Sequence, residues 1–118
     1  MECCGKNTLR QTRGDTRRYK FQRKDINGQL ITILPDKIYF TVKKDWTRQA
    51  AVLQKTIADF TIDEDFVYRF TIYPDETESL KYGEYVFDVE VIQDSVKITI
   101  AKGKFILTEE ATFAENEV

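Results

Sequence analysis

Tyr85-Val86-Phe87-Asp88-Val89-Glu90-Val91-Ile92-Gln93-Asp94-Ser95-Val96-Lys97-Ile98-Thr99-Ile100-Ala101 is the stretch that decides the fold. Tyr85, Phe87, Val89 and Val91 alternate with Val86, Asp88, Glu90 and Ile92. Past Gln93-Asp94-Ser95, Val96, Ile98 and Ile100 alternate with Lys97, Thr99 and Ala101. A period of two sends successive side chains to opposite faces of a strand, so each run predicts a strand with one buried face. The three polar residues between the runs predict a hairpin turn.

The same rhythm extends outward. Tyr19 and Phe21, then Ile38, Phe40 and Val42, then Tyr68, Phe70 and Ile72 each alternate with polar or smaller residues. Shorter strands are expected at residues 8–12, 30–33, 52–57 and 105–108. Asp25-Ile26-Asn27-Gly28 reads as a tight turn, since Asn and Gly take positive φ at low cost. Lys102-Gly103-Lys104 reads as a turn or bulge separating two strands. Pro74-Asp75-Glu76-Thr77-Glu78-Ser79-Leu80 breaks the rhythm, and its early Pro and acids predict a single helical turn. Leu80 and Tyr82 are expected to plug one end of the sandwich, and residues 47–51 to coil briefly. The reading is an all-β, antiparallel β-sandwich of seven to nine strands with one short helical turn near 74–80. Tyr19, Phe21, Ile38, Phe40, Val42, Phe70, Ile72, Tyr85, Phe87, Val89, Ile98 and Ile100 are its expected core.

A chain of 118 residues fits one domain, here residues 1–118 with a core over about 8–108. Fifteen aromatic residues, eight Phe, six Tyr and one Trp, supply the burial a small β core needs. No apolar run approaches the roughly 20 residues of a membrane helix. Met1-Glu2-Cys3-Cys4-Gly5 lacks the basic start and apolar run of a secretory signal, so the mature chain is expected to begin near here. Adjacent Cys3 and Cys4 cannot staple a domain, and with no His in the chain a closed zinc site has too few ligands. Reduced thiols are the expectation.

Charge is unevenly spread. Residues 1–24 carry eight basic and two acidic side chains, whereas residues 59–118 carry five and fifteen. The asymmetry fits pairing within the molecule, contact between copies, or nucleic-acid binding by the basic end. Net charge of −2 and few interleaved aromatics argue against nucleic acid.

Catalytic chemistry is sparse. The absence of His removes the commonest general base and every Ser-His or Cys-His arrangement. Asp63-Glu64-Asp65 and Asp75-Glu76 are acids adjacent in loops, not carboxylates facing one another across a sugar. The first trio also lacks the glycine and distal glutamate of a calcium loop. Trp46, beside Asp45 and Arg48, either stacks on a ligand or partner or folds back over the sandwich edge. Trp46 and Arg48, with Arg10 and Arg13 of the basic stretch, are the candidate partner contacts. No catalytic residue, cofactor or metal ligand is expected.

Several pieces together resemble a known pattern. They are Arg13-Gly14-Asp15-Thr16, Asp25-Ile26-Asn27-Gly28-Gln29, Ile38-Tyr39-Phe40-Thr41-Val42-Lys43, Ile72 through Leu80, Gly83-Glu84-Tyr85-Val86-Phe87-Asp88-Val89, and Ile98 through Phe105. Across roughly residues 10–108 the chain resembles the small immunoglobulin-like sandwich proteins of tailed phages and prophages, such as upper baseplate proteins and tail-fibre adaptor domains. Glu76 stands where the pattern has Asp before Thr77, and Ile31-Thr32-Ile33 replaces an Asp-Leu-Thr. The resemblance implies an immunoglobulin-like fold and a non-enzymatic structural role in the virion tail or baseplate. The protein would be made in the bacterial cytoplasm, with tail or baseplate proteins and its own copies as partners, and neither nucleic acid nor membrane. A carbohydrate- or protein-binding module of a bacterial surface system is the alternative. Apart from the family, Gly14 and Gly83 lie where strands begin and a bend favours glycine. Tyr85 opens its strand in the manner of a tyrosine corner.

Overall fold

The computed structural model describes residues 7–47 and 50–109. Cys3, Cys4, Arg48 and the acidic tail from residue 110 lie outside the described residues. The deciding hairpin forms as read. β7 (Gly83–Gln93) and β8 (Val96–Thr108) pair antiparallel, with Gln93 opposite Val96. Asp94 and Ser95 both take positive φ, the backbone of a two-residue turn whose twist matches the strands it joins.

β3 (Lys37–Lys43) and β4 (Ala51–Lys55) extend this hairpin on one side, and β1 (Asn7–Thr12) on the other. The five-stranded order is β1-β8-β7-β3-β4, and β1 runs parallel to β8. A three-stranded sheet packs opposite, ordered β2-β6-β5, from Arg17–Phe21, Tyr68–Ile72 and Thr61–Ile62. Order and connectivity are those of an immunoglobulin-like sandwich. The Tyr85 hydroxyl donates to the Lys81 carbonyl at 2.7 Å, as the corner requires.

The two sheets meet on aromatic rings. Phe40 lies 4.7 Å from Phe70, 5.7 Å from Phe87 and 6.4 Å from Phe105, centroid to centroid, and so ties β3, β6, β7 and β8 into one core. Offset and tilted rings at such spacings contribute beyond the area they bury. A turn of 3-10 helix over Ile57–Asp59 and the helical turn α1 (Pro74–Thr77) complete the chain. Gly14 (φ 85°) starts the bend into β2 and donates its N–H to the fully buried Thr77 Oγ1 at 2.9 Å, which pins that bend to α1.

Four expectations are corrected. Residues 30–33 form no strand among the described residues. After the Asp25 turn, Leu30 makes one bridge back to Lys24, and Pro35 soon removes a backbone donor. The strand expected over 52–57 stops at Lys55, because Asp59 accepts the Thr56 N–H at 2.8 Å and winds the chain into the 3-10 turn. Lys102-Gly103-Lys104 does not separate strands, since Gly103 sits inside β8 opposite Phe87 and beside Asn7. The irregularity lies at Ile100, an extra residue between the pairs Val89–Ala101 and Glu90–Thr99. Finally, Ile98 is 47 % exposed, and Tyr19, Phe21 and Ile100 are only half-buried. The remaining eight expected core residues are buried. Leu80 packs against the core, whereas Tyr82 lies at the surface under the Arg13 guanidinium, 4.3 Å from its ring centroid.

Candidate functional site

The unequal sheets explain the exposure of Ile98. Opposite Val91, it points toward the sandwich interior, but β2 is five residues long and β8 thirteen. The small sheet therefore does not cover the far half of β8. An open cleft of about 660 Å³ is left between β2 and β8. Its floor is apolar, with Phe40, Phe70, Phe87 and Val89, and Tyr19, Phe21, Ile98 and Ile100 form its walls. Ile26, at the tip of the Asp25 turn and 88 % exposed, stands at the rim.

Among the described residues, both strands beside the cleft have an unpaired edge. β1 pairs only with Gly103–Thr108 of β8, so no described strand lies on the outer edge of residues 96–102. β2 pairs with β6 alone. Unpaired N–H and C=O groups on a strand edge are a template for another extended segment. Three basic side chains, Lys20, Arg23 and Lys24, line the cleft, and no acidic one does.

Arg23 is structural. It is buried, and its guanidinium donates to the Ile33 carbonyl, the Tyr68 hydroxyl and Gln93 Oε1 at 3.2–3.3 Å. These bonds tether the loop after β2 to both sheets and hold the cleft's end in shape. Tyr19 donates its hydroxyl to the buried Gln11 at 3.1 Å, and burial pushes its own ionisation upward. Lys20 and Lys24 are exposed and make no ion pair with another described residue. The described ion pairs are Lys55–Glu76, Arg69–Asp63 and Lys104–Glu84, none involving Lys20 or Lys24.

The residues picked out from sequence do not converge on this cleft. Trp46 is 54 % exposed in the loop after β3, with the Lys102 ammonium 5.9 Å from its ring. Arg13 donates to the Leu80 carbonyl at 3.3 Å and stacks over Tyr82, which fixes the β1–β2 bend against the loop after α1. Arg10 is exposed on β1, and its carbonyl accepts from Arg17 at 3.3 Å. Arg48 lies outside the described residues.

The acidic loop is committed to its own architecture. Asp63 Oδ1 accepts the N–H groups of Asp65 and Val67, and Oδ2 accepts Arg69 at 2.6 Å. The Arg69 bond, then those N–H groups, hold Asp63 below the usual carboxylate range. Asp25 makes the same turn with the N–H groups of Asn27 and Gln29. Gly28 (φ 81°) occupies the position that Phe66 (φ 59°) takes in the second copy of this turn. Among the described residues no group of three or more acids or cysteines could hold a metal ion. Among the described residues no helix is long and apolar enough to cross a membrane.

A scan against protein-family models gives no match, and a search of curated proteins finds no similar one.

Proposed function

We propose that this domain is a non-catalytic assembly module, a tail or baseplate adaptor of a phage or prophage virion, and that the β2–β8 cleft is its docking surface. The observation that carries the reading is the cleft itself. An apolar floor lies between two strand edges that no described strand pairs, beside two cations with no ion-pair partner among the described residues. Such a surface recognises an extended segment by main-chain bonds along the edge and pockets for alternate side chains. It offers no positioned acid–base pair. The virion assignment draws on the resemblance of residues 10–108, and the cleft supplies the means of attachment. Sugar binding is less well supported, because Trp46, Tyr73 and Tyr82 make no ring contact with one another and each faces a different cation.

The test is capture. Tagged protein is mixed with dissociated virions or an induced prophage lysate at low and high salt, alongside Ile98→Asp. The reading expects tail or baseplate proteins to be retained by the native protein, less at high salt and not by Ile98→Asp. Retention by both proteins, or by neither at any salt, contradicts it.

A further inference from the structure

Resting on the assembly reading, we propose that the cleft takes residues 110–118 of a second copy as an extended segment between β2 and β8, so that copies join head to tail. Three observations point to this occupant.

The first is charge. The cleft presents Lys20 and Lys24 without a described counter-ion and contains no acid. Residues 110–118, Glu-Ala-Thr-Phe-Ala-Glu-Asn-Glu-Val, carry three glutamates and no basic residue. The net-basic start of the chain and its acidic end thus meet between molecules, where opposite charges steer association.

The second is shape. Ala111 and Phe113 lie two apart, so an extended segment turns both to one side. Phe113 is a single large ring for an apolar floor, and an aromatic anchor in a desolvated pocket dominates many interfaces. Residues 1–6 offer one acid, one base and no ring, and so match the cleft less well.

The third is reach. β8 ends at Thr108, and Ile98 lies ten residues back along the same strand, roughly 33 Å away at strand rise. β1 occupies the intervening edge from Gly103 to Thr108, which bars a segment following Thr108 from running back along that edge of its own molecule. The segment that fills the cleft is therefore assigned to another copy. Such a contact joins two different surfaces, so it closes into a ring or extends as a filament, according to the rotation between copies.

The experiment uses the full chain and two single variants, Ile98→Asp in the cleft and Phe113→Asp in the tail, with a Lys20→Glu/Lys24→Glu double variant on the rim. Ile98 is already half-exposed, and circular dichroism and thermal melting are used to check that each variant folds. Sedimentation velocity at low salt is expected to show oligomers for the native chain and monomers for each single variant. An equal mixture of the two single variants is expected to give a dimer and nothing larger, since one intact cleft meets one intact tail. A labelled peptide of residues 109–118 should bind native protein and lose about tenfold or more in affinity with the rim variant or added salt. Monomeric native chain, oligomers unaffected by Phe113→Asp, or a mixture that stays monomeric overturns the inference. If Phe113→Asp captures virion proteins other than copies of this chain while Ile98→Asp does not, the cleft has another occupant. The inference then fails and the assembly reading stands.

Discussion

Lys55 is the most deeply buried lysine among the described residues, 5 % exposed, and its ammonium meets both oxygens of Glu76 at 2.6 and 2.7 Å. The pair joins β4 of the large sheet to α1 after β6. Glu76 Oε1 also accepts the Tyr73 N–H at 2.8 Å and so caps the helical turn. Removing one partner of a fully buried pair costs about 3–5 kcal/mol, because the remaining charge is left unpaired. The Glu76 side chain retains 30 % exposure, so water reaches the pair and the cost falls. Glu76→Gln keeps the cap and strands the ammonium, for an expected loss of about 2 kcal/mol. Lys55→Met keeps the packed stem and leaves Glu76 partly hydrated, for about 1 kcal/mol. The double variant, with no charge to strand, should lose no more than about 1 kcal/mol, a coupling of about 2 kcal/mol. Urea titration of the four proteins measures these terms, and Glu76→Gln should melt about 10 °C lower. Additive losses, or a larger loss for Lys55→Met than for Glu76→Gln, would refute the assignment of cost to the buried ammonium.

Three further outcomes follow from local geometry. Tyr85→Phe removes the 2.7 Å bond to the Lys81 carbonyl and should cost about 1 kcal/mol by denaturant titration without altering the sheet signal in circular dichroism. Gly28→Ala should also cost about 1 kcal/mol, purely through its φ of 81°, because nothing lies within 4 Å of the added methyl; a D-alanine placed there by peptide ligation should cost nothing. Asp63 has a lowered folded-state pKa, so its stabilisation is present above the ordinary carboxylate value of 3.8 and lost as pH falls through the lower folded one. Native protein should therefore lose urea resistance below about pH 4 more steeply than Asp63→Asn, which should be the less stable of the two at pH 7.

The hairpin of β7 and β8, the corner at Tyr85 and the turn at Asp25 were legible because each is a local pattern of alternation or turn chemistry. β8 shows where that legibility ends. Its apolar stripe runs on even numbers through Val96, Ile98 and Ile100, and its buried residues fall on odd numbers at Phe105 and Leu107. That change of phase reads as a break between strands, but a one-residue bulge at Ile100 produces it within one strand. Alternation also fixes which way Ile98 points without saying whether anything covers it. Coverage depends on the length of β2 in the opposite sheet, a relation between distant segments. The parallel pairing of β1 with β8 is hidden for the same reason. The cleft was thus invisible in sequence, although its two ingredients, the basic β2 and the apolar stripe of β8, were both readable. Trp46 and Arg13 drew notice as an aromatic and a cation in polar surroundings, yet both have partners on their own molecule.

The most direct test of the proposed docking surface is a photo-crosslinking amino acid placed at position 98, with a control at Thr41 on the opposite face of the large sheet, in the assemblies the proposal expects, self-associated protein and protein mixed with tail particles. Mass spectrometry of the irradiated assemblies should find position 98 joined to another polypeptide, foremost residues 110–118 of a second copy, and position 41 not joined at that site. Position 98 remaining uncrosslinked in these assemblies, while position 41 crosslinks, would contradict the account.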